Sequence, residues 1–135
     1  MRQLLLAVLL FSPAVVCAER PKFDESPEAV ARLRQEAAVL EQQAVATPKN
    51  TEVFVKLGFI YARLKQADDA QRAFETAITL DPKRAEAHYM LGLIYEKKGL
   101  TDRAIAAWKA CLENTADPRM RATAERHLHH LNVKR

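Results

Sequence analysis

Leu57-Gly58-Phe59-Ile60-Tyr61 is followed, 34 residues later, by Leu91-Gly92-Leu93-Ile94-Tyr95. The same offset carries Phe54 onto His88, Ala70 onto Ala104, Ala73 onto Ala107 and Phe74 onto Trp108. It also carries Ala77 onto Cys111, Ile78 onto Leu112 and Pro48 onto Pro82. A segment this short cannot bury its apolar face alone, so recurrent copies must stack and share one core. Stacked units of this type bind other molecules rather than transform them.

Within the unit, Phe54, Leu57, Tyr61 and Leu64 recur at helical spacing and give one apolar stripe. Gly58 inside that helix costs about 1 kcal/mol relative to Ala, which predicts close approach of a neighbouring helix. A short turn follows, Lys65-Gln66 in the first copy and Gly99-Leu100 in the second. A second helix then starts, with Asp68-Asp69 and Thr101-Asp102 expected as N-cap and first-turn acids. Ala70, Ala73 and Ala77 thin its inner face so that two antiparallel helices can lie close. Asp81-Pro82 ends it, because proline lacks an amide hydrogen and restricts the residue before it.

This helix–turn–helix resembles the tetratricopeptide repeat. The first copy, residues 51–84, reads F-x2-L-G-x2-Y from Phe54 to Tyr61, A-x3-F from Ala70 to Phe74, then Ala77 and Pro82. The second, residues 85–118, reads H-x2-L-G-x2-Y from His88 to Tyr95 and A-x3-W from Ala104 to Trp108. It departs with Cys111 for Ala and Ala116 for Pro, and with His88 for an aromatic residue, which is expected to loosen that corner. The resemblance implies an all-α fold, a short right-handed solenoid of antiparallel helix pairs. It makes Phe54, Leu57, Gly58, Tyr61, Ala70, Phe74, Ala77 and Pro82 packing residues of the first unit. His88, Leu91, Gly92, Tyr95, Ala104, Trp108 and Cys111 take those roles in the second.

Two units alone would leave apolar faces open at both ends. The flanks supply covers. Ser26-Pro27 starts a helix expected over 27–47, with Val30, Leu33, Ala37, Leu40 and Ala44 as its stripe. Asp117-Pro118 opens a capping helix expected over 118–132, with Met120, Ala124, Leu128 and Leu131 on one face. The repeat domain then covers 27–135, and six helices are expected.

The N-terminus is of another kind. Arg2, the apolar run Leu4 to Phe11, Ser12-Pro13 and then Val16-Cys17-Ala18 have the make-up of a secretory signal over 1–18. The run is far shorter than the roughly 20 apolar residues of a membrane-spanning helix. A flexible leader over 19–26 would follow, and the protein is expected to be exported, with a periplasmic location. Lipidation on Cys17, the one route to membrane attachment, fits less well because Val16 is a poor lipobox residue. The chain carries 21 Lys and Arg against 17 Asp and Glu, a net charge of +4 that falls to +3 when Arg2 leaves with the signal. That balance does not point to nucleic acid. Only Cys111 would remain, so no intramolecular disulfide can form.

No phosphate-binding glycine loop, Cys-x-x-Cys, His-Glu-x-x-His or activated-serine context is present, and no enzyme is expected. Cofactors are expected to be none. The acidic pairs suit helix starts better than catalysis, and Cys111 stands at a packing position, which favours a buried inert thiol over a reactive one. In Arg126-His127-Leu128-His129-His130, His127 and His130 are three apart and share a helix face. Two nitrogens without a third ligand make a weak metal site, and a solvated polar face is the plainer reading. The basic segment 117–135 reads as a solubilising end or a contact for an acidic partner or anionic lipid.

Binding is expected in the groove, where the resemblance puts the first helix of each pair. Its candidate lining is Val55, Phe59, Ala62 and Arg63 from the first unit and Tyr89, Leu93, Glu96 and Lys97 from the second, with Glu52 and Glu86 at its start. Val55, Phe59, Tyr89 and Leu93 form an apolar strip with charges at its rim, the mark of an interaction surface. Repeats that grip acidic chaperone tails have lysines and asparagines where this chain has Val55, Phe59 and Met90. The expected ligand is an apolar helix or extended segment of a partner protein, held by an adaptor of the cell envelope during assembly of a complex. The alternative is a self-associating structural unit, a homo-oligomer, whose groove or N-terminal helix pairs between copies. Families of this fold serve several envelope processes, and the repeat residues do not choose among them.

Overall fold

The apolar spacing resolves into helices throughout: a computed structural model describes residues 24–133, and in them six α-helices and no strand. These are α1 (Pro27–Ala46), α2 (Thr51–Arg63), α3 (Ala67–Leu80), α4 (Ala85–Lys97), α5 (Thr101–Asn114) and α6 (Pro118–Val133). The signal segment, Cys17, leader residues 19–23 and the last two residues lie outside the described residues.

The helices pack in chain order, with the most extensive contacts inside the pairs α2–α3 and α4–α5. Three junctions recur 34 residues apart: the backbone N–H of Thr47, Asp81 and Thr115 each donates to the carbonyl four residues earlier. Each junction follows the second helix of a unit. By position in the repeat, α1 therefore corresponds to a second helix and α6 to a first helix. The Val30–Ala44 stripe is largely taken up inside the chain, where Leu33, Ala37 and Leu40 bury against Val53, Leu57 and Ile60 of α2.

Phe74 and Trp108 are the largest fully buried side chains, and they explain the two glycines. A Cβ on Gly58 would lie 2.6 Å from Phe74 Cε1, and one on Gly92 would lie 2.6 Å from Trp108 Cε2. Each second helix drives one ring into the face of its first helix, and only a missing side chain makes room. Ala70, Ala77 and Ala104 are fully buried around those rings. Cys111 is buried with them, and burial, aided by the Glu86 charge, pushes its thiol up to about 11, which disfavours the thiolate.

A tyrosine–glutamate bond repeats with the helices. Tyr61 Oη donates to Glu41 Oε1 at 2.5 Å, and Tyr95 Oη donates to Glu75 Oε1 at 2.7 Å. Both residues of each bond move by 34 between copies. Each bond ties the first helix of one unit to the second helix of the unit before. Burial works against a charged Glu75, yet hydrogen bonds from Tyr95 and Gln71, with Arg103 and Lys98 nearby, hold it below its ordinary range.

Three local expectations are corrected. The N-cap positions of α3 and α5 are Gln66 and Leu100, and neither makes a side-chain cap bond. Asp68 and Asp69 sit in the first turn instead, where Asp68 pairs with Lys98, just past α4, and Asp69 with Arg72. His88 does not loosen its corner: it is buried, with Nε2 2.7 Å from the Pro82 carbonyl, and so ties the turn it follows. The turns themselves need a left-handed residue, Lys65 at φ 60° and Gly99 at φ 72°. Lysine at the first of these carries a steric cost that glycine avoids.

Candidate functional site

The α2–α4 face is built from residues of the first helices, two of whose rings rest on the buried rings of their pair partners. Phe59 is 39% exposed there, its ring edge-on to Phe74 at 5.3 Å. Tyr89, one helix over, is half-buried and edge-on to Trp108 at 5.2 Å. Both rings are thus held from below by a buried ring of the second helix, and this fixes their rotamers without hiding them. Leu93 is half-buried, Ala62 is half-buried, and Arg63 and Lys97 are exposed in the last turns of their helices.

Two of the predicted lining residues behave differently. Val55 is only 5% exposed and belongs to the core, so the apolar strip is shorter than the spacing predicts. Val55 shares a buried cluster with Phe74, Ala87 and Leu91. Glu96 is not a rim charge. Its Oε1 accepts from Trp108 Nε1 at 2.5 Å and lies 2.7 Å from His127 Nδ1.

Between α2 and α4 a crevice of about 180 Å³ opens, lined by Ala62, Lys65, Ala67, Ala70, Leu93, Ile94 and Lys97. Its floor is apolar and its rim carries the two lysines. Thirty-four residues on, the lining becomes Glu96, Gly99, Thr101, Ala104, His127, Leu128 and Leu131. That second position is filled. The His127 ring stacks on Trp108 at 4.6 Å and 22°, and Glu96 bridges the two. Leu93 corresponds to His127 and Ala62 to Glu96, and this pair meets over Trp108 in the second unit.

This also relocates His127. It is half-buried between α4, α5 and α6, while His129 and His130 are exposed. The pair His127–His130 therefore does not share a solvated face. Among the described residues no group of three or more His, Cys, Asp or Glu could hold a metal ion. Among them, too, no helix is long and apolar enough to cross a membrane.

A feature absent from the sequence reading lies on the α3–α5 side. A cavity of about 350 Å³ is lined by Ile78, His88, Leu91, Tyr95, Arg103, Ala106, Ala107 and Ala110. Its counterpart one unit earlier, lined by Phe54, Leu57, Tyr61, Asp69, Arg72, Ala73 and Thr76, holds about 200 Å³. The signal was available in the 34-residue alignment, where Ala106 and Ala110 stand in place of Arg72 and Thr76.

Residues 55–118 match the family model described as the tetratricopeptide repeat. Among solved structures, the chain is similar to a thermophilic tetratricopeptide-repeat protein of Thermus thermophilus, with 25% identity and a TM-score of 0.65. The match covers 78% of this chain and 55% of that one, so the chain spans about half the length of that structure. No curated protein sequence matches it.

Proposed function

We propose, from the premise that this chain is a tetratricopeptide-repeat protein, that it is a protein-binding adaptor of the cell envelope working through its α2–α4 face. Repeats of this fold generally mediate protein–protein interaction and are generally non-catalytic scaffolds. The observation that carries the reading is the rigid mount of exposed Phe59 beside the open crevice at Ala62 and Leu93. A pre-ordered apolar surface lowers the ordering cost that a partner segment must meet on binding. Such a surface suits an apolar helix or extended segment, held while a larger complex assembles.

The envelope location rests on the N-terminal sequence alone, the basic, apolar and small-residue pattern of Met1 to Ala18. N-terminal sequencing of the mature protein tests it, with Glu19 as the expected first residue and an uncut Met1 as the contrary result. For the adaptor reading, a photoreactive residue at Leu93 should crosslink a partner from the native envelope. Phe59→Ala should weaken that crosslink while helical content stays unchanged. If crosslinking is equal in both, the face assignment fails. Light scattering separates the self-associating alternative: the adaptor predicts a concentration-independent monomer.

A further inference from the structure

The crevice between α2 and α4 is apolar below and cationic above, and one exposed ion pair, at Lys65, offsets that positive charge. Lys97 stands at one rim, exposed, and has no ion-pair partner among the described residues. Lys65 stands at the other, bridged only to Glu25 at 2.8 Å in a pair whose side chains are 73% and 58% exposed. An exposed pair of this kind is worth little and exchanges readily. The other nearby carboxylates are committed elsewhere. Asp68 is taken by Lys98, and Glu96 by Trp108 and His127.

The floor sets a second condition. Ala62, Ala67 and Ala70 leave the depth that Leu93 and Ile94 make greasy, and the volume of about 180 Å³ suits one aliphatic side chain. A long polar side chain entering there would lose its water without gaining a partner, since the lining below the rim offers no side-chain donor or acceptor. An acidic group placed alongside would meet Lys97, and a basic one would be repelled by both lysines.

Resting on the adaptor reading, we infer that this crevice selects a partner segment in which an aliphatic side chain is flanked by aspartate or glutamate side chains. The aliphatic group fills the floor and the flanking carboxylates meet Lys97 and Lys65. The contacts differ from a grip on a terminal carboxylate, because the anchor is the buried aliphatic group and the charges only fix its surroundings.

Two synthetic peptides test this by fluorescence anisotropy, both amidated at the C-terminus and sharing the same leucines. One carries flanking aspartates and the other flanking lysines. The aspartate peptide should bind about tenfold more tightly at low ionic strength, and the gap should narrow with added salt. Lys97→Glu, at an exposed position that leaves the fold intact by circular dichroism, should shrink or reverse the preference. Equal binding of the two peptides, or a preference that Lys97→Glu leaves unchanged, overturns the charge selection while the apolar groove stands. If neither peptide binds, the groove reading falls together with it.

Discussion

Ala62 and Glu96 occupy the same point of the same helix in successive units, as do Leu93 and His127, yet one junction is open and the other sealed. In the first unit a small side chain leaves the α2–α4 crevice empty above Ala70. In the second, a carboxylate, an indole and an imidazole close the equivalent space and lock α4, α5 and α6 together. On the α3–α5 side the order is reversed, since Arg72 and Thr76 narrow the first unit's cavity and Ala106 and Ala110 widen the second's. The repeat thus fixes a backbone, and side-chain size at a few equivalent positions decides where that backbone is accessible. A unit can be a rigid anchor or a receptor without any change of fold.

The buried rings offer the sharpest way to break this comparison. Phe74→Ala and Trp108→Ala should each cost about 3–5 kcal/mol in chemical denaturation. The indole should cost more, because its loss also strands Glu96 and unstacks His127. Equal losses would mean that the plugged junction adds no stability.

The glycines come next. Gly58→Ala and Gly92→Ala each place a carbon within 2.6 Å of a ring, and overpacking of that kind costs about 1–3 kcal/mol even after the better helix propensity of alanine. Gly92→Ala should be the worse of the two, since Trp108 is also held by its bond to Glu96 and its stack on His127. Thermal melts of the two variants decide the order.

The repeated tyrosine bond is a finer probe. Tyr95→Phe should cost about 1–2 kcal/mol, since Tyr95 is only 5% exposed, and Tyr61→Phe about half as much. The first of these should also alter acid stability. Glu75 is held below its ordinary value of 4.5, so its charge stabilises the fold fully above that pH and the contribution fades as pH falls through the lowered value. Removing the Tyr95 hydroxyl should flatten that acid-side slope in urea titrations.

The smallest effect concerns the turns. Lys65→Gly should stabilise by about 0.5–1 kcal/mol because φ 60° suits glycine, and Gly99→Ala should destabilise by a similar amount at φ 72°. Opposite signs at equivalent positions are the expected result in paired melts.

The helix pairs were legible in the sequence because their signals are local and repeated: the apolar stripe from Phe54 to Leu64, the glycines, the alanine face and the Asp81-Pro82 stop. The site was legible only in part. Phe59, Tyr89 and Leu93 follow from position in the helix, but Val55 is core, in a buried cluster that includes Ala87 and Leu91 of the next unit, which helical spacing does not encode. Glu96 and His127 were read as surface groups, since nothing in a linear pattern shows two polar side chains from different helices meeting over an indole. The Ser26 cap of α1 was local enough to read, but those of α3 and α5 depend on where each helix begins after its turn. α3 and α5 start at Ala67 and Thr101, which puts Gln66 and Leu100 at the cap and the acids in the first turn.

The α2–α4 crevice as a docking site is tested most directly by closing it with the side chain that closes its twin. Ala62→Glu should abolish binding of a labelled leucine-containing acidic peptide in an anisotropy titration while the melting curve stays within about 1 kcal/mol of the parent. Unchanged affinity in a folded Ala62→Glu protein would contradict the claim that partners enter there.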